Sequence, residues 1–336
     1  MKYYNLKTAD CEGLAYKSAH RSLLIQRIPD KFKRTLRKEL WELSENSSGI
    51  SLTFLTDTSD LHVEWTLKNN FKMNHMSEVG IKGLDLYEYK NNCWYYRTSG
   101  LPEGKDNRTF LFKKLLIKPR LFRIYFPLYD SITKFKLGYS EKCFFKIKKR
   151  EKKPIVFYGT SITQGGCVSR PGLAYTNKIS RDLNRECINL GFSGNGHMES
   201  SVGTILSKIK SKLIVIECMA NVNSKIIRDK TLPLIRIIRK SNQLKKIPII
   251  FIQQIITQLE SKIHDEIIQK NLELEKEIVK AQKSGFKNLY LMKSDSFINP
   301  MNESTVDGIH FNDIGSMNYS KFFIKQIENR KILHQT

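Results

Sequence analysis

Three residues in the second half of the chain carry side chains suited to nucleophilic catalysis: Ser161, Asp307 and His310. A serine hydroxyl is a poor nucleophile until a general base removes its proton. Histidine is the residue type that most often supplies this base near neutral pH. Asp307 stands three residues before His310, so its carboxylate can orient the imidazole and stabilise the imidazolium that forms. The three residues predict acyl transfer through a covalent acyl-enzyme.

The tetrahedral intermediate of such a reaction needs hydrogen-bond donors directed at its oxyanion. Small and polar residues occur in two further blocks, around Gly194 and Asn221. We expect the backbone N–H groups of Ser161 and Gly194, together with the side-chain amide of Asn221, to form the oxyanion hole. Gly196, in the same block as Gly194, is an alternative for that position.

Alternating apolar runs and helix-like segments must position these blocks. The apolar runs lack the polar alternation of half-buried strands, so we interpret them as strands of a parallel sheet, buried on both faces. Five strand–helix units predict an α/β, flavodoxin-like open sheet with its site at the carboxyl ends of the strands. Each chemical block follows a predicted strand. The predicted strands are 155–158, 187–190, 213–216, 247–252 and 289–291, and the predicted helices are 173–184, 199–210, 224–243, 262–284 and 313–329.

The first half of the chain has a different pattern. Several short segments alternate apolar and polar residues and are separated by turn-like residues, which is typical of an antiparallel β-sandwich of the jelly-roll type. The highly charged stretch before Pro154 marks a boundary. We therefore predict a sandwich domain over residues 1–148 and a catalytic domain over residues 149–336. The predicted strands are 61–67, 84–89, 93–96, 122–128 and 134–138, with a short helix near 33–43 before them.

The ordered set Ser161, Gly194, Asn221 and His310 resembles the SGNH (GDSL-like) hydrolase family, which carries Ser, Gly, Asn and His in four separate blocks. The resemblance covers roughly residues 154–328. It implies that Ser161 is the nucleophile, that Gly194 and Asn221 belong to the oxyanion hole, and that Asp307 and His310 complete the triad.

Two positions depart from the common family pattern. Thr160 stands where the family usually has Asp before the serine, and the run 219–222 reads Met-Ala-Asn-Val where Gly-x-Asn-Asp is frequent. Neither departure removes a catalytic group.

A second resemblance concerns the first half. Residues 83–87 look like the "GxDLY" signature of a β-sandwich that precedes one subgroup of SGNH hydrolases, and residues 125–129, 169–172 and 189–196 also look like that subgroup. Relatives of this architecture include carbohydrate esterases that remove acetyl groups from sugars, so the resemblance implies a similar activity.

Three further residues are candidates for substrate binding: Arg170, His75 and His197. No cofactor and no metal are expected. The six cysteines occur singly, and neither HExxH nor CxxC is present. The glycines after the first parallel strand form neither a GxGxxG nor a Walker pattern.

The chain of 336 residues has 57 Lys and Arg against 33 Asp and Glu, a net charge of +24. The excess is spread evenly, with +13 in residues 1–150 and +11 in residues 151–336. A diffuse charge is typical of solvated lysines and does not indicate nucleic-acid binding. It leaves open an acidic acyl-ester substrate, either a small molecule or a polysaccharide. No signal peptide or membrane-spanning run is visible, so we expect a cytoplasmic protein.

The leading hypothesis is a serine esterase that removes O-acyl groups, most simply O-acetyl, from a carbohydrate or glycoconjugate. Two alternatives stay open. A sugar hydroxyl in place of water would make the same acyl-enzyme an O-acyltransferase, and a non-catalytic protein would use the sandwich to bind carbohydrates or anions.

Overall fold

The N-terminal part of the protein is a sandwich of two antiparallel sheets. The computed structural model describes residues 1–17, 19–256, 262–294, 297 and 300–334. The first sheet has the order β1-β8-β3-β6 and the second β5-β4-β7-β2-β9. Their strands are β1 (Lys2–Asn5), β2 (Ser51–Thr56), β3 (Leu61–Leu67), β4 (Leu84–Lys90), β5 (Cys93–Gly100), β6 (Asp106–Phe112), β7 (Arg120–Tyr125), β8 (Ile132–Tyr139) and β9 (Phe145–Ile147).

Alternation along β3 shows how this sandwich is built. Leu61, Val63, Trp65 and Leu67 are buried in the core between the sheets, while the residues between them are half-exposed. A period of two places successive side chains on opposite faces of a strand, so the pattern directs one face inward. The predicted antiparallel sandwich is thereby confirmed.

The second part is a parallel sheet with the order β11-β10-β12-β13-β14. This is the flavodoxin-like order, in which the second strand lies outside the first, and it confirms the predicted fold class. The strands are β10 (Ile155–Gly159), β11 (Cys187–Gly191), β12 (Leu213–Glu217), β13 (Ile249–Ile252) and β14 (Leu289–Met292). The helices of the chain are α1 (Lys38–Ser44), α2 (Glu78–Lys82), α3 (Ser161–Gln164), α4 (Tyr175–Asp182), α5 (Ser200–Leu206), α6 (Ser224–Arg239), α7 (Lys262–Lys283) and α8 (Asp313–Asn329).

Helices cover both faces of the parallel sheet, which explains the continuous apolar runs. Alternate strand residues such as Val156 and Tyr158 face a cluster with α5, α6 and α7. Their neighbours Ile155 and Phe157 face a second cluster with α4 and α8. A strand that is buried on both faces needs apolar side chains at every position.

Part of the N-terminal half packs on the parallel sheet and not on the sandwich. The apolar residues Ile28, Phe32, Leu40 and Trp41 belong to the same buried cluster as α5 and α6. These residues thus act as structural support for the second part, while Ile25 belongs to the core of the sandwich. The division at residue 148 stays a prediction.

Prolines account for two boundaries that differ from the sequence predictions. The strand predicted at 122–128 ends at Tyr125, ahead of Pro127, and the strand predicted at 247–252 begins at Ile249, after Pro248. Proline has no N–H to donate to a sheet. The helix predicted near 33–43 is a 3-10 turn, Asp30–Thr35, followed by α1.

Candidate active site

The side chains of Ser161, His310 and Asp307 form a hydrogen-bonded chain at the carboxyl end of the parallel sheet. Ser161 Oγ lies 2.7 Å from His310 Nε2, and His310 Nδ1 lies 2.6 Å from Asp307 Oδ2. Ser161 is the first residue of α3, directly after β10, and the Thr160 hydroxyl caps this helix by accepting the Ile162 N–H at 3.2 Å. This arrangement allows the imidazole to take the serine proton while the carboxylate holds the other ring nitrogen.

Backbone hydrogen bonds keep the Asp307 carboxylate ionised and in place. Its Oδ1 accepts the N–H groups of His310 at 2.8 Å and Ile309 at 3.0 Å. Burial acts to raise the pKa of Asp307, but the hydrogen bonds from the His310 backbone and ring outweigh it, so the pKa lies below the usual value. Gly308, with φ +84°, supplies the left-handed turn that brings carboxylate and ring together.

The oxyanion-hole candidates follow the second and third parallel strands, at the same edge of the sheet as Ser161. Asn221 ends a 3-10 turn, Met219–Asn221, that follows β12. Its Oδ1 accepts the Gly196 N–H at 3.2 Å. Because the amide oxygen is used in this way, the NH₂ group of Asn221 is left in the donor role that an oxyanion needs.

The two glycines of this loop, Gly194 and Gly196, are needed for different structural reasons. Gly194 has φ +67°, and a Cβ there would meet nothing within 4 Å. Gly196 has no such φ restriction, but a Cβ there would lie 2.7 Å from the Gly159 carbonyl oxygen. Gly194 therefore serves the turn, and Gly196 serves the close approach of the loop to the end of β10.

Two buried polar residues that the sequence analysis missed support the loop that carries Gly194 and Gly196. Gln164 Oε1 accepts the Ser193 N–H at 3.0 Å. Arg27 donates from Nη1 to the Gly191 carbonyl at 2.6 Å and the Asn189 carbonyl at 3.1 Å. Burial lowers the pKa of Arg27 to about 9, which leaves it a cation at neutral pH. Nothing in the local sequence around Arg27 distinguishes it from a surface arginine.

The matches to known families concern both parts of the chain. Residues 152–328 match the GDSL-like lipase/acylhydrolase family, and residues 1–145 match the N-terminal domain of SGNH-hydrolase-type esterases, named GxDLY. The chain belongs to the GDSL-like lipase/acylhydrolase family. The resemblance drawn from the four sequence blocks is thus confirmed, and the protein is an SGNH-type hydrolase of acyl esters in fold and family.

Solved structures resemble the whole length of this hydrolase. A protein of Bacteroides ovatus named as a GDSL-like lipase has 29% identity and a TM-score of 0.92, covering 100% of this chain and 99% of its own. The salicylyl-acyltransferase SsfX3 of a tetracycline biosynthetic pathway has 13% identity and a TM-score of 0.78 over 100% and 99%. A family two carbohydrate esterase of Cellvibrio japonicus has 13% identity and a TM-score of 0.64 over 99% of each chain. The last two share the fold. Among curated proteins, none matches the chain in sequence.

The three candidate substrate residues lie in different surroundings. Arg170 contacts the sandwich: its Nη1 lies 2.8 Å from Asp85 Oδ2 and 2.7 Å from the Tyr87 hydroxyl, and its guanidinium lies 3.8 Å from the Tyr96 ring centre. Asp85 Oδ2 also accepts the Gly172 N–H at 2.8 Å. The Asp and Tyr of the GxDLY segment therefore hold the two parts of the hydrolase together, and Arg170 is engaged in that contact.

The other two candidates are His75, which lies near the triad, and His197, which lies on the same loop as Gly196. The His75 ring, on an exposed loop of the sandwich, has its centre 6.0 Å from the His310 ring centre. His197 Nδ1 lies 3.3 Å from Arg37 Nη2, and Arg37 also donates to Asn195 Oδ1 at 3.0 Å. Burial and the adjacent Arg37 charge lower the pKa of His197, so its neutral form is favoured. His75 therefore lies close to the triad, and the ring of His197 is engaged with Arg37.

A buried acid behind the nucleophile also escaped the sequence analysis. Glu217, at the end of β12, accepts the Thr160 hydroxyl at 3.1 Å and the Thr163 hydroxyl at 2.7 Å. Burial raises the pKa of Glu217 to about 7. The carboxyl group lines a cleft of about 370 Å³ between Ile162 and Ile309, beside the triad. Thr160, the departure from the family pattern, thus has a partner in Glu217.

One group in the described part of the chain has the composition of a metal site. Ligand atoms of Cys167, Asp307 and His310 lie within 4.8 Å of one another. The imidazole and carboxylate already bind each other, and burial raises the pKa of the Cys167 thiol to about 12, so it is protonated. Those pairings fit a serine triad better than a resident metal. Within the described residues, no helix is both long and apolar enough to cross a bilayer.

Proposed function

We propose that this protein is a serine esterase that removes O-acyl groups, with O-acetyl as the expected one, from a carbohydrate or glycoconjugate. The observation that carries the proposal is the continuous hydrogen-bonded chain from Ser161 Oγ through His310 to Asp307, with contacts of 2.7 and 2.6 Å. These are the distances expected of a nucleophile, its base and the group that orients the base.

The proposed reaction has two halves. Ser161 Oγ attacks the ester carbonyl while His310 Nε2 takes its proton, and the Ser161 N–H, Gly194 N–H and Asn221 amide stabilise the oxyanion. His310 then gives the proton to the leaving sugar oxygen. Water attacks the acyl-enzyme with His310 again as base, which releases the acid and restores Ser161.

Two observations support a carbohydrate ester as the substrate. Structures with this fold include an acetyl xylan esterase of Butyrivibrio proteoclasticus and a family two carbohydrate esterase of Clostridium thermocellum in complex with cellohexaose. His75 is exposed near the triad, and Arg37 and His197 lie beside the loop that carries Gly194 and Gly196, so these three side chains are the proposed donors to sugar hydroxyls.

The decisive test compares the parent with Ser161→Ala and, as a matched control, Ser284→Ala at the exposed end of α7. With an activated acetyl ester we expect Ser161→Ala to lose about 10⁴-fold or more in kcat, because removal of a triad nucleophile leaves only binding and the oxyanion hole. The control should keep parental activity. A serine-directed phosphonate should modify the parent and Ser284→Ala but not Ser161→Ala. If Ser161→Ala hydrolyses the ester at the parental rate, the assignment of the nucleophile is wrong.

The acyl group and its acceptor are separated by a second assay. Acetylated monosaccharides, polysaccharides and nucleotide sugars are incubated with the protein, and both free acetate and newly acylated sugar are measured. Release of acetate as the main product supports the esterase. Transfer of the acyl group to an added sugar in preference to water would instead support the acyltransferase alternative. The salicylyl-acyltransferase has the same fold as this protein.

A further inference from the structure

The amino ends of the parallel strands form a second polar cleft, at the edge of the sheet opposite the triad. Four strands have basic residues within the four positions before them, and parallel strands bring all their amino ends to one edge. The fold therefore concentrates charges that are far apart in the sequence. They are Lys152 and Lys153 before β10, Arg185 before β11, Lys212 before β12, and Lys245 and Lys246 before β13.

These six residues line one cleft of about 1190 Å³, which we call the basic cup. The other lining side chains include Ser211, Asn242 and Gln243, and among the residues that the structure describes no Asp or Glu belongs to the lining. Arg185 Nη1 donates to the Lys153 carbonyl at 2.7 Å, which holds the guanidinium against the strand end without neutralising it. Basic residues that are spread along the sequence thus meet in one cleft.

Like charges in the cup lie close enough together to affect one another. Burial lowers the pKa of Lys212, and the nearby Arg185 and Lys153 charges lower it further. Burial also lowers the pKa of Arg185. An anion in the cup would relieve this repulsion, because opposite charge favours the protonated forms of all three side chains.

Ser211 adds a second and independent observation. It lies at the end of the turn before β12, is 2% exposed, and lines the cup. Its hydroxyl has no hydrogen-bond partner among the described residues. A buried hydroxyl without a partner destabilises a protein, so native proteins seldom keep one without a use. A ligand oxygen in the cup would accept this hydroxyl.

We propose that the basic cup binds a phosphate group. A phosphate dianion has enough oxygens to accept from a guanidinium, several ammonium groups and a hydroxyl together, whereas a carboxylate has two oxygens and one charge. Strands of five residues span about 17 Å, so a phosphate bound here does not touch the reacting ester. The cup would hold a free phosphate compound or the phosphate of a polymer.

The first experiment measures binding of inorganic phosphate and of tripolyphosphate to the intact protein by calorimetry at low salt. The variant Arg185→Gln/Lys212→Gln removes two charges from the cup. Its matched control, Lys276→Gln/Lys283→Gln, removes two charges from the exposed face of α7, away from the cup. We expect the cup variant to bind at least about tenfold more weakly, as the loss of one charge-assisted hydrogen bond requires. The control should stay within about twofold of the parent.

The proposal is overturned if the parent does not bind phosphate, or if cup variant and control weaken binding equally. Long-chain polyphosphate distinguishes a polymer from a small phosphate compound as the natural ligand. If polyphosphate binds more tightly per site than inorganic phosphate and the cup variant loses this binding, the ligand is a polymer. If the two bind equally per phosphate, the ligand is a small compound. A single-stranded oligonucleotide is the test for non-specific polyanion binding. If it binds more tightly than phosphate and polyphosphate, and binds the cup variant and the control variant equally, the result argues against the cup.

Ser211→Ala provides a readout that a structural role would not produce. Removing an unpaired hydroxyl should leave the Tm without ligand unchanged or higher, yet reduce the rise in Tm that phosphate causes. A lower Tm without ligand and an unchanged rise would assign Ser211 to the fold alone. Ser161→Ala should bind phosphate like the parent, so failure of the esterase proposal and failure of the cup are separable.

Discussion

Alanine at Gly196 and at Gly194 should affect catalysis very differently, although the two glycines lie on one loop. At Gly196 a Cβ would lie 2.7 Å from the Gly159 carbonyl oxygen, and ordinary contact begins at 3.4 Å. The loop or the end of β10 must therefore move by about 0.7 Å. The Gly196 N–H that orients Asn221 moves with it.

The expected loss follows from the geometry of the oxyanion hole. Its donors act at about 2.7–3.1 Å, so a displacement of about 0.7 Å removes most of the contribution of one donor, or about 100–1,000-fold in kcat. At Gly194 there is space for a Cβ, and the φ of +67° is the only obstacle. That strain is about 1–2 kcal/mol, which lowers the Tm and leaves the N–H in place.

The assay is the kcat of acetyl-ester hydrolysis beside the Tm of each variant. We expect Gly196→Ala to lose about 100-fold or more, and Gly194→Ala to lose stability while keeping kcat within about tenfold. The reverse order of kcat values would refute the distinction between the space-limited and the turn-limited glycine. Equal kcat values in all three proteins would remove this loop from the oxyanion hole.

Three further predictions concern Asp307 of the triad and the buried polar residues Glu217 and Arg27. Asp307→Asn should lower kcat by about 10⁴-fold with little change in KM, because the amide favours the wrong imidazole tautomer; a KM effect alone would contradict the triad. Glu217 keeps its proton in the folded state up to a pKa of about 7, while in the unfolded chain it ionises above about 4.3. Parental stability relative to Glu217→Gln should therefore fall as the pH rises from about 4.3 to 7 and level off above that. Thermal melts across this pH range test the prediction, with Glu151→Gln at the exposed linker as the control. A stability difference between the parent and Glu217→Gln that does not change with pH would place the Glu217 pKa elsewhere. Arg27→Met should lower the free energy of unfolding, measured with a chemical denaturant, by about 2–5 kcal/mol and should lower kcat, because the Asn189 and Gly191 carbonyls lose their donor. An unchanged free energy of unfolding would show that Arg27 does not support the loop.

Local pattern was sufficient for most of the fold. Strand β3 and helix α8 have the predicted bounds, 61–67 and 313–329. When one face of an element is buried, apolar residues recur every two residues in a strand and every 3.6 residues in a helix, and both periods are strong signals in a sequence. The flavodoxin-like sheet was predictable since consecutive strand–helix units on a parallel sheet allow few topologies. The boundaries that differed depend on single residues such as Pro248 and Pro127, which act locally against the apolar pattern.

The site divides in the same way. Ser161, Asp307 and His310 were recognisable because each belongs to a short block whose chemistry is visible in one stretch of sequence. Arg27 and Glu217 were not, since neither has a local signature and each acts through a residue far away in the chain. Arg170 was a candidate for substrate binding on charge alone, and only its contacts with Asp85 and Tyr87 reveal its use between the two parts.

The sequence by itself determined the two-part architecture, the strand ends on which the chemical blocks lie, and the residue types of a serine hydrolase. These depend on neighbours within a few positions, where periodicity and turn chemistry decide. The tertiary structure alone decided which buried residues support the loop of Gly194 and Gly196 and which basic residues meet in the cup. Burial and the convergence of parallel strand ends join residues that are separated by tens of positions, and no local pattern carries that information.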